Sequence, residues 1–274
     1  MNENIKAKII LDSEFNGYRL TTMELNIPRF ILAELTRHRV FSFSVSSSRA
    51  IPVRKMISNL QENHFIPQYW GRNQEGMVAS KEIEPELREE AIKEWENAFN
   101  NALQSAWNLI NLGVHKQLTN RLLEPFSYCK VLITGTEWDN FFNLRCSKYA
   151  QPEMEELANK MKNAYLNSKP VKRHIHLPFV YGDTNLGSNE KDILKKHNLE
   201  KLYRLSSARC ARISYLNHNN EYSIEKDLEL ANKLITLHHC SPQEHCCISS
   251  LDKLSWRNLK GWLQFRVMLE EDRK

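Results

Sequence analysis

Apolar and polar positions alternate in blocks along the chain, and the period of each block predicts its element. Ile5 to Leu11 and Tyr18 to Ile27 are rich in β-branched and apolar residues, with Asp12, Ser13, Asn16 and Gly17 between them, which predicts two strands joined by a turn. Pro28 then opens a short helix with Phe30, Ile31 and Leu35 as its apolar face, and this helix delivers Arg37, His38 and Arg39 at its C-terminal end. Val40 to Ser48 alternates serine with valine and phenylalanine, which disfavours helix and predicts an extended, hydroxyl-rich segment. The stretch on to about Ser80 holds Pro52, Pro67, Gly71 and Gly76 and reads as irregular.

Helical spacing is clearest from Pro85 to Leu112, where Leu87, Ala91, Trp95, Ala98, Ala102, Ala106 and Leu109 recur on one side and Gly113 follows as a cap. Pro152 starts a second helix through Met154, Leu157, Ala158, Met161 and Tyr165. Ser223 precedes a third through Ile224, Leu228, Ala231, Leu234 and Ile235. Between these two, residues 167–205 contain Pro170, Pro178, Gly182 and Gly187 with little periodicity and read as a connector. The Trp138…Phe141…Leu144-Arg145 and Trp262…Phe265-Arg266 stretches echo each other faintly, without making a repeat architecture.

A chain of 274 residues with 41% hydrophobic content supports a buried core. Its 38 Lys+Arg against 33 Asp+Glu give a net charge of +5, a mild preference for anionic ligands. Dense basic tracts are lacking, so nucleic acid is not the expected partner. No apolar run reaches membrane-spanning length, and Met1-Asn2-Glu3-Asn4 lacks the plan of a signal peptide, so a cytoplasmic location without membrane attachment is expected. Six cysteines in a chain of this length do not suggest a disulfide scaffold.

Candidate chemistry concentrates in four places. Arg37-His38-Arg39, then seven residues, then Ser47 and Arg49, gathers cations around hydroxyls, a combination suited to phosphate. On composition alone, a basic helix end beside a solvated serine loop is the more ordinary account. Arg121-Leu122-Leu123-Glu124-Pro125 leads through Tyr128 and Thr134-Gly135 to Asn140-Phe141-Phe142-Asn143-Leu144-Arg145, with Ala150-Gln151 beyond. Late in the chain stand Ala208-Arg209-Cys210-Ala211-Arg212-Ile213-Ser214 and His239-Cys240-Ser241-Pro242-Gln243-Glu244-His245. His238, His239, Cys240, His245, Cys246 and Cys247 also invite a zinc reading, but the second ligand pair that structural zinc takes from a distant piece of chain is missing, so no metal is expected.

Taken together, these segments resemble the flavin-dependent thymidylate synthases. The resemblance covers roughly residues 18–55, 85–166 and 205–247, with the family's usual beginning placed last, the pattern expected of a circular permutation. It implies an α+β fold, an antiparallel sheet packed with several helices in a single domain spanning 1–274, and a homotetramer with shared sites. It further implies conversion of dUMP to dTMP, with methylenetetrahydrofolate as one-carbon donor and FAD reduced by NADPH. Arg37, His38, Arg39, Thr134, Asn140, Ser214, His239, Ser241 and Glu244 would contact the flavin. Glu34, Arg37, Ser46, Ser47, Ser48, Arg49, Arg121 and Arg145 would contact the nucleotide, with Arg145 catalytic as the group that polarises the uracil.

Three positions depart from the family pattern. Ser44-Val45 stands where Asn-Glu is usual, Glu34 where a Gln is common, and Tyr149 where a His is frequent. Two other functions therefore stay open: a different pyrimidine modification such as hydroxymethylation, and a non-catalytic nucleotide-binding protein that holds no flavin. A nucleophilic role is disfavoured for Cys146, the one cysteine placed beside Arg145, and for Ser47, which has no activating base beside it in the sequence.

Overall fold

The computed structural model describes residues 2–214, 223–250 and 255–271. Strand β1 (Lys6–Phe15) and strand β2 (Tyr18–Pro28) form an antiparallel hairpin. Asn16 and Gly17 at its tip both take positive φ, 51° and 82°, the conformation a two-residue turn needs to match strand twist. Each strand runs further than the alternation of its apolar residues suggests. The chain then makes a 3₁₀ turn (Arg29–Ile31) and a single helical turn, α1 (Leu32–Leu35), before strand β3 (Ser42–Val45).

The expectation of irregular chain up to about Ser80 is corrected at helix α2 (Val53–Glu62). Val53, Met56, Ile57 and Leu60 hold helical spacing, a signal obscured by the prolines and glycines around it. Helix α3 (Pro85–Asn111) is the long helix expected, and Gly113 takes φ 76° just beyond it. α2 and α3 bury Met56, Leu60, Phe99 and Leu103 together with Leu123 and Phe126. Helix α4 (Lys116–Thr119) and a 3₁₀ segment (Asn120–Phe126) lead into strand β4 (Tyr128–Gly135), which pairs with both β2 and β3.

Helix α5 (Asp139–Arg145) and helix α6 (Pro152–Asn167) cover one face of this sheet. Val131 and Ile133 point into that layer with Met23, Leu25 and Ile27, against Phe141, Met154, Leu157 and Met161. Leu132, between them in sequence, points to the opposite face, as strand period dictates.

Residues 167–205 are more ordered than a connector with little periodicity. They form strand β5 (Val171–Lys172), parallel to β1, strand β6 (Ile175–His176), helix α7 (Glu190–Lys196) and the start of helix α8 (Leu199–Ala211). Leu177, Val180, Leu186, Ile193 and Leu202 join one buried cluster against the second face of the sheet. α8 is buried on nearly all sides from Leu205 to Ala211, so it carries no apolar stripe for a sequence reading to find. Helix α9 (Ile224–Thr236) starts at Ser223, whose hydroxyl accepts from the Lys226 N–H.

The chain continues through strand β7 (Cys247–Ser249), the short pair β8 (Ser255–Trp256) and β9 (Leu259–Lys260), strand β10 (Trp262–Gln264) and helix α10 (Phe265–Glu271). The main sheet has the order β3-β4-β2-β1-β5, antiparallel apart from its last pair, and β10-β7-β6 form a small second sheet. The architecture is α+β, as the resemblance implies. No helix among the described residues is long and apolar enough to cross a membrane.

Candidate functional site

Phe141 and Phe142 root α5 in the core, which leaves Arg145, in the last turn, projecting toward α1 and the turn that follows it. Arg145 Nε donates to His38 Nε2 at 3.0 Å, and its Nη1 donates to Glu34 Oε2 at 3.1 Å. Its Nη2 carries no hydrogen bond among the described residues. His38 packs edge-on against Phe141, with ring centroids 4.9 Å apart. Partial burial lowers the His38 pKa, and Arg145 and Arg37 lower it further. A neutral His38 is what the geometry requires, since Nε2 must accept and the ring proton then sits on Nδ1. Arg37 and Arg39 flank it, exposed and without ion pairs among the described residues. Gly135 matters here because Phe41 lies so close that a Cβ would stand 2.4 Å from its ring.

A second group sits beyond the other end of β3, and roughly 13 Å separates Ser42 from Ser46 at the usual strand rise. Buried Asn120 donates both amide hydrogens, to the carbonyls of Ser48 (2.7 Å) and Ile51 (2.9 Å). Arg29 Nη2 donates to the Ser46 carbonyl, and the Lys130 N–H donates to Ser46 Oγ. The loop bearing Ser47, Ser48 and Arg49 is thereby pinned beside Arg121, which is half-exposed and paired with Glu124 at 2.8 Å. Ser48 Oγ is buried without a partner among the described residues, and Arg49 is exposed. Of the three serines expected on the nucleotide, Ser46 already spends its hydroxyl on the backbone, whereas Ser47 and Ser48 do not.

The late motifs converge on β3 itself. Ser214 Oγ donates to the Val45 carbonyl, and His245 bonds Ser44 Oγ at 3.0 Å and Thr134 Oγ1 at 2.8 Å. Thr134 is fully buried, with its hydroxyl shared between His245 and Thr22, so within one chain it faces the interior. Glu244 forms an ion pair with Arg266. His239, Ser241 and Asn140 are exposed at the surface. The sequence reading named His245 only as the end of a motif and as a metal candidate, and did not single out His176, Asn120 or Arg29. For Asn120 and Arg29 no local signal existed, because their partners lie far away in sequence.

The thiol of Cys146 has its pKa raised by burial, the opposite of what a nucleophilic thiolate needs. A cleft of about 380 Å³ lies between α6 and the 68–82 segment, lined by Glu82, Glu153, Glu155, Glu156 and Lys160 among others, and none of the expected site residues lines it. Its acidic wall does not suit a phosphate.

Burial also depresses two imidazoles, His245 from an ordinary 6.5 to about 3 and His176 well below 6.5. Below about pH 6.5 the unfolded chain binds protons that the folded chain refuses, so the stability these neutral rings contribute is complete above 6.5 and is lost as pH falls toward 3. The thermal midpoint should drop as pH is lowered from neutrality, and His245→Gln should flatten that slope. An unchanged slope in the variant would remove His245 from this account.

The family of thymidylate synthase complementing proteins matches residues 15–171, more than half of the chain and all of the stretch from the β1–β2 turn through Arg-His-Arg to Arg145 and α6. A flavin-dependent thymidylate synthase of Thermosipho africanus is 24% identical over 164 residues, spanning 58% of this chain and 69% of the relative. One from Kosmotoga olearia is 26% identical over 163 residues, spanning 57% and 67%. Among solved structures, a UMP/dUMP methylase PolB of Streptomyces cacaoi bound with 5-Br UMP is similar with a TM-score of 0.49 at 16% identity, covering 60% of this chain and 89% of that one. Thymidylate Synthase X of Helicobacter pylori with FAD and dUMP gives 0.38 at 18% identity, covering 53% and 67%. With the Arg37–Arg39 turn, the Ser47–Arg49 loop and Arg145 all inside the matched stretch, the chain belongs to the thymidylate synthase complementing protein family.

Proposed function

We propose that the protein is a flavin-dependent thymidylate synthase, converting dUMP to dTMP with methylenetetrahydrofolate as one-carbon donor and FAD, reduced by NADPH, as hydride source. The observation that carries this reading is Arg145, held by His38 and Glu34 with Nη2 open. Uracil C5 becomes nucleophilic only as negative charge spreads over N3 and the ring oxygens, and a fixed guanidinium edge stabilises that charge. Arg37 and Arg39 supply cations, without ion pairs among the described residues, suited to a dinucleotide's phosphates, and His38 keeps Arg145 oriented. Bound flavin supplies the hydride.

Ser47, the unpartnered Ser48 Oγ, Arg49 and Arg121 fit a nucleotide phosphate. Because they lie past the far end of β3 from Arg145, one nucleotide meets both groups most directly when they come from neighbouring subunits, as in a homotetramer. The permuted order belongs to the same reading, and bonding of Ser214 and His245 to β3 supports it. A cytosolic location goes with it.

One observation favours a second reading. Glu34 places an acceptor-only carboxylate on Arg145, and a carboxylate also suits the amino group of a cytosine nucleotide. The test is the visible spectrum of the purified protein, followed by product mass after incubation with dUMP or dCMP, folate donor and NADPH. A flavin spectrum with a methyl added to dUMP is expected. Protein that takes up no flavin and modifies neither nucleotide would refute the proposal, and a modified dCMP would replace it with the second reading.

A further inference from the structure

His176 and His245 are buried, belong to different segments, and touch the same line of hydroxyls across the main sheet. Ser13 of β1, Thr22 of β2, Thr134 of β4 and Ser44 of β3 contribute one hydroxyl each, all buried. His176 Nδ1 contacts Ser13 Oγ at 2.8 Å, and its Nε2 contacts Thr22 Oγ1 at 2.8 Å. Thr22 and Thr134, facing partners in the strand register, are joined oxygen to oxygen at 2.7 Å. His245 completes the series from Thr134 (Nδ1, 2.8 Å) to Ser44 (Nε2, 3.0 Å).

We infer that His176 and His245 form one tautomer-coupled positioning unit that fixes β3, and with it the Ser46–Arg49 loop. Only the link to nucleotide binding rests on the proposed function. The coupling follows from counting protons. A neutral imidazole has one donor and one acceptor, and each hydroxyl has one hydrogen to give. If Ser44 donates to His245 Nε2, then His245 Nδ1–H donates to Thr134, Thr134 to Thr22, Thr22 to His176 Nε2, and His176 Nδ1–H to Ser13. Reversing every bond keeps the same contacts, with both rings carrying the proton on Nε2.

Of the two mixed arrangements, one fails. With His176 protonated on Nδ1 and His245 on Nε2, both threonine hydroxyls donate outward and their oxygens face each other without a hydrogen, which costs one buried hydrogen bond, about 1–3 kcal/mol or roughly tenfold and upward in population. The opposite mixture keeps every contact of the series and moves the spare hydroxyl hydrogen from a terminal serine to a threonine. The protonation of one ring therefore restricts that of the other, and a change at Ser44 reaches His176, which lies outside the family-matched stretch.

The deciding experiment is a long-range ¹H–¹⁵N correlation on the full chain labelled with ¹⁵N-histidine, with the two rings assigned through their backbone connections. Two neutral rings in any combination other than Nδ1–H on His176 with Nε2–H on His245 are expected. That one combination, or a charged ring at neutral pH, would overturn the inference, and the wild-type spectrum alone suffices. For the functional link, His245→Phe should raise the KM for the nucleotide about tenfold, the equivalent of one hydrogen bond. His245→Gln, which keeps a donor and an acceptor, should recover most of that loss. A KM unmoved by the Phe variant would sever β3 from binding. Absence of any turnover in the wild type would count against the proposed function, leaving the tautomer result intact.

Discussion

Arg145→Ala lowers turnover of dUMP by about 10²–10³-fold, the range expected when a fixed donor to developing negative charge is removed. The thermal midpoint should move by only a few degrees, because Arg145 is partly exposed and its ion pair with Glu34 is accessible to water. Arg145→Lys should restore little. A lysine carries the charge on a single nitrogen and cannot engage His38, Glu34 and a pyrimidine edge together, as the guanidinium fork can. Product formation followed by mass, with the visible spectrum as a check on flavin content, separates lost chemistry from lost cofactor. Turnover within threefold of wild type would remove Arg145 from the chemical step.

The largest effect on stability is expected at Asp227. Asp227 lies fully buried on α9 and accepts from Arg209 Nε at 3.0 Å and Arg212 Nε at 2.7 Å. Arg209 also pairs with Asp183 and donates to the carbonyl of Phe179, a residue held at φ 62°. Asp227→Ala removes the buried carboxylate that both guanidinium groups share, which costs about 3–5 kcal/mol. At roughly 2–4 °C per kcal/mol for a chain of this size, the thermal midpoint should fall by about 10 °C. A fall of less than about 3 °C, measured by circular dichroism, would show that the network is dispensable. Ser214 stands two residues beyond Arg212 and reaches Val45, so flavin retention should weaken in the same variant.

Much of the framework is local and was legible as such. Asn16-Gly17 between two apolar runs announces a hairpin, Pro85 and Pro152 open helices because the first turn needs no N–H, and Ser223 caps a third. The spacing of Arg37-His38-Arg39, Ser47 and Arg49, with Arg145 downstream, pointed to the family that the comparison found. Alternating serines marked β3 as a strand, but not what each face would meet. Ser42 and Ser44 turn out to be bonded from the end of the chain, by Asn258, Gln264 and His245.

What stayed hidden depends on residues distant in sequence. α8 and the turns of residues 167–205 are stabilised by burial rather than by an amphipathic stripe, so their apolar residues show no period. Glu34 and Arg145 stand 111 positions apart, and Ser44 and His245 stand 201 apart. The sequence determined the strands, the main helices and the residue types available for phosphate and pyrimidine chemistry, because those follow from neighbours within a turn or two. Only the tertiary structure decided that Thr134 and His245 serve the interior, that Arg145 rests between an imidazole and a carboxylate, and that the two arginine groups lie at opposite ends of β3, because packing across the sheet sets which distant polar groups must satisfy one another.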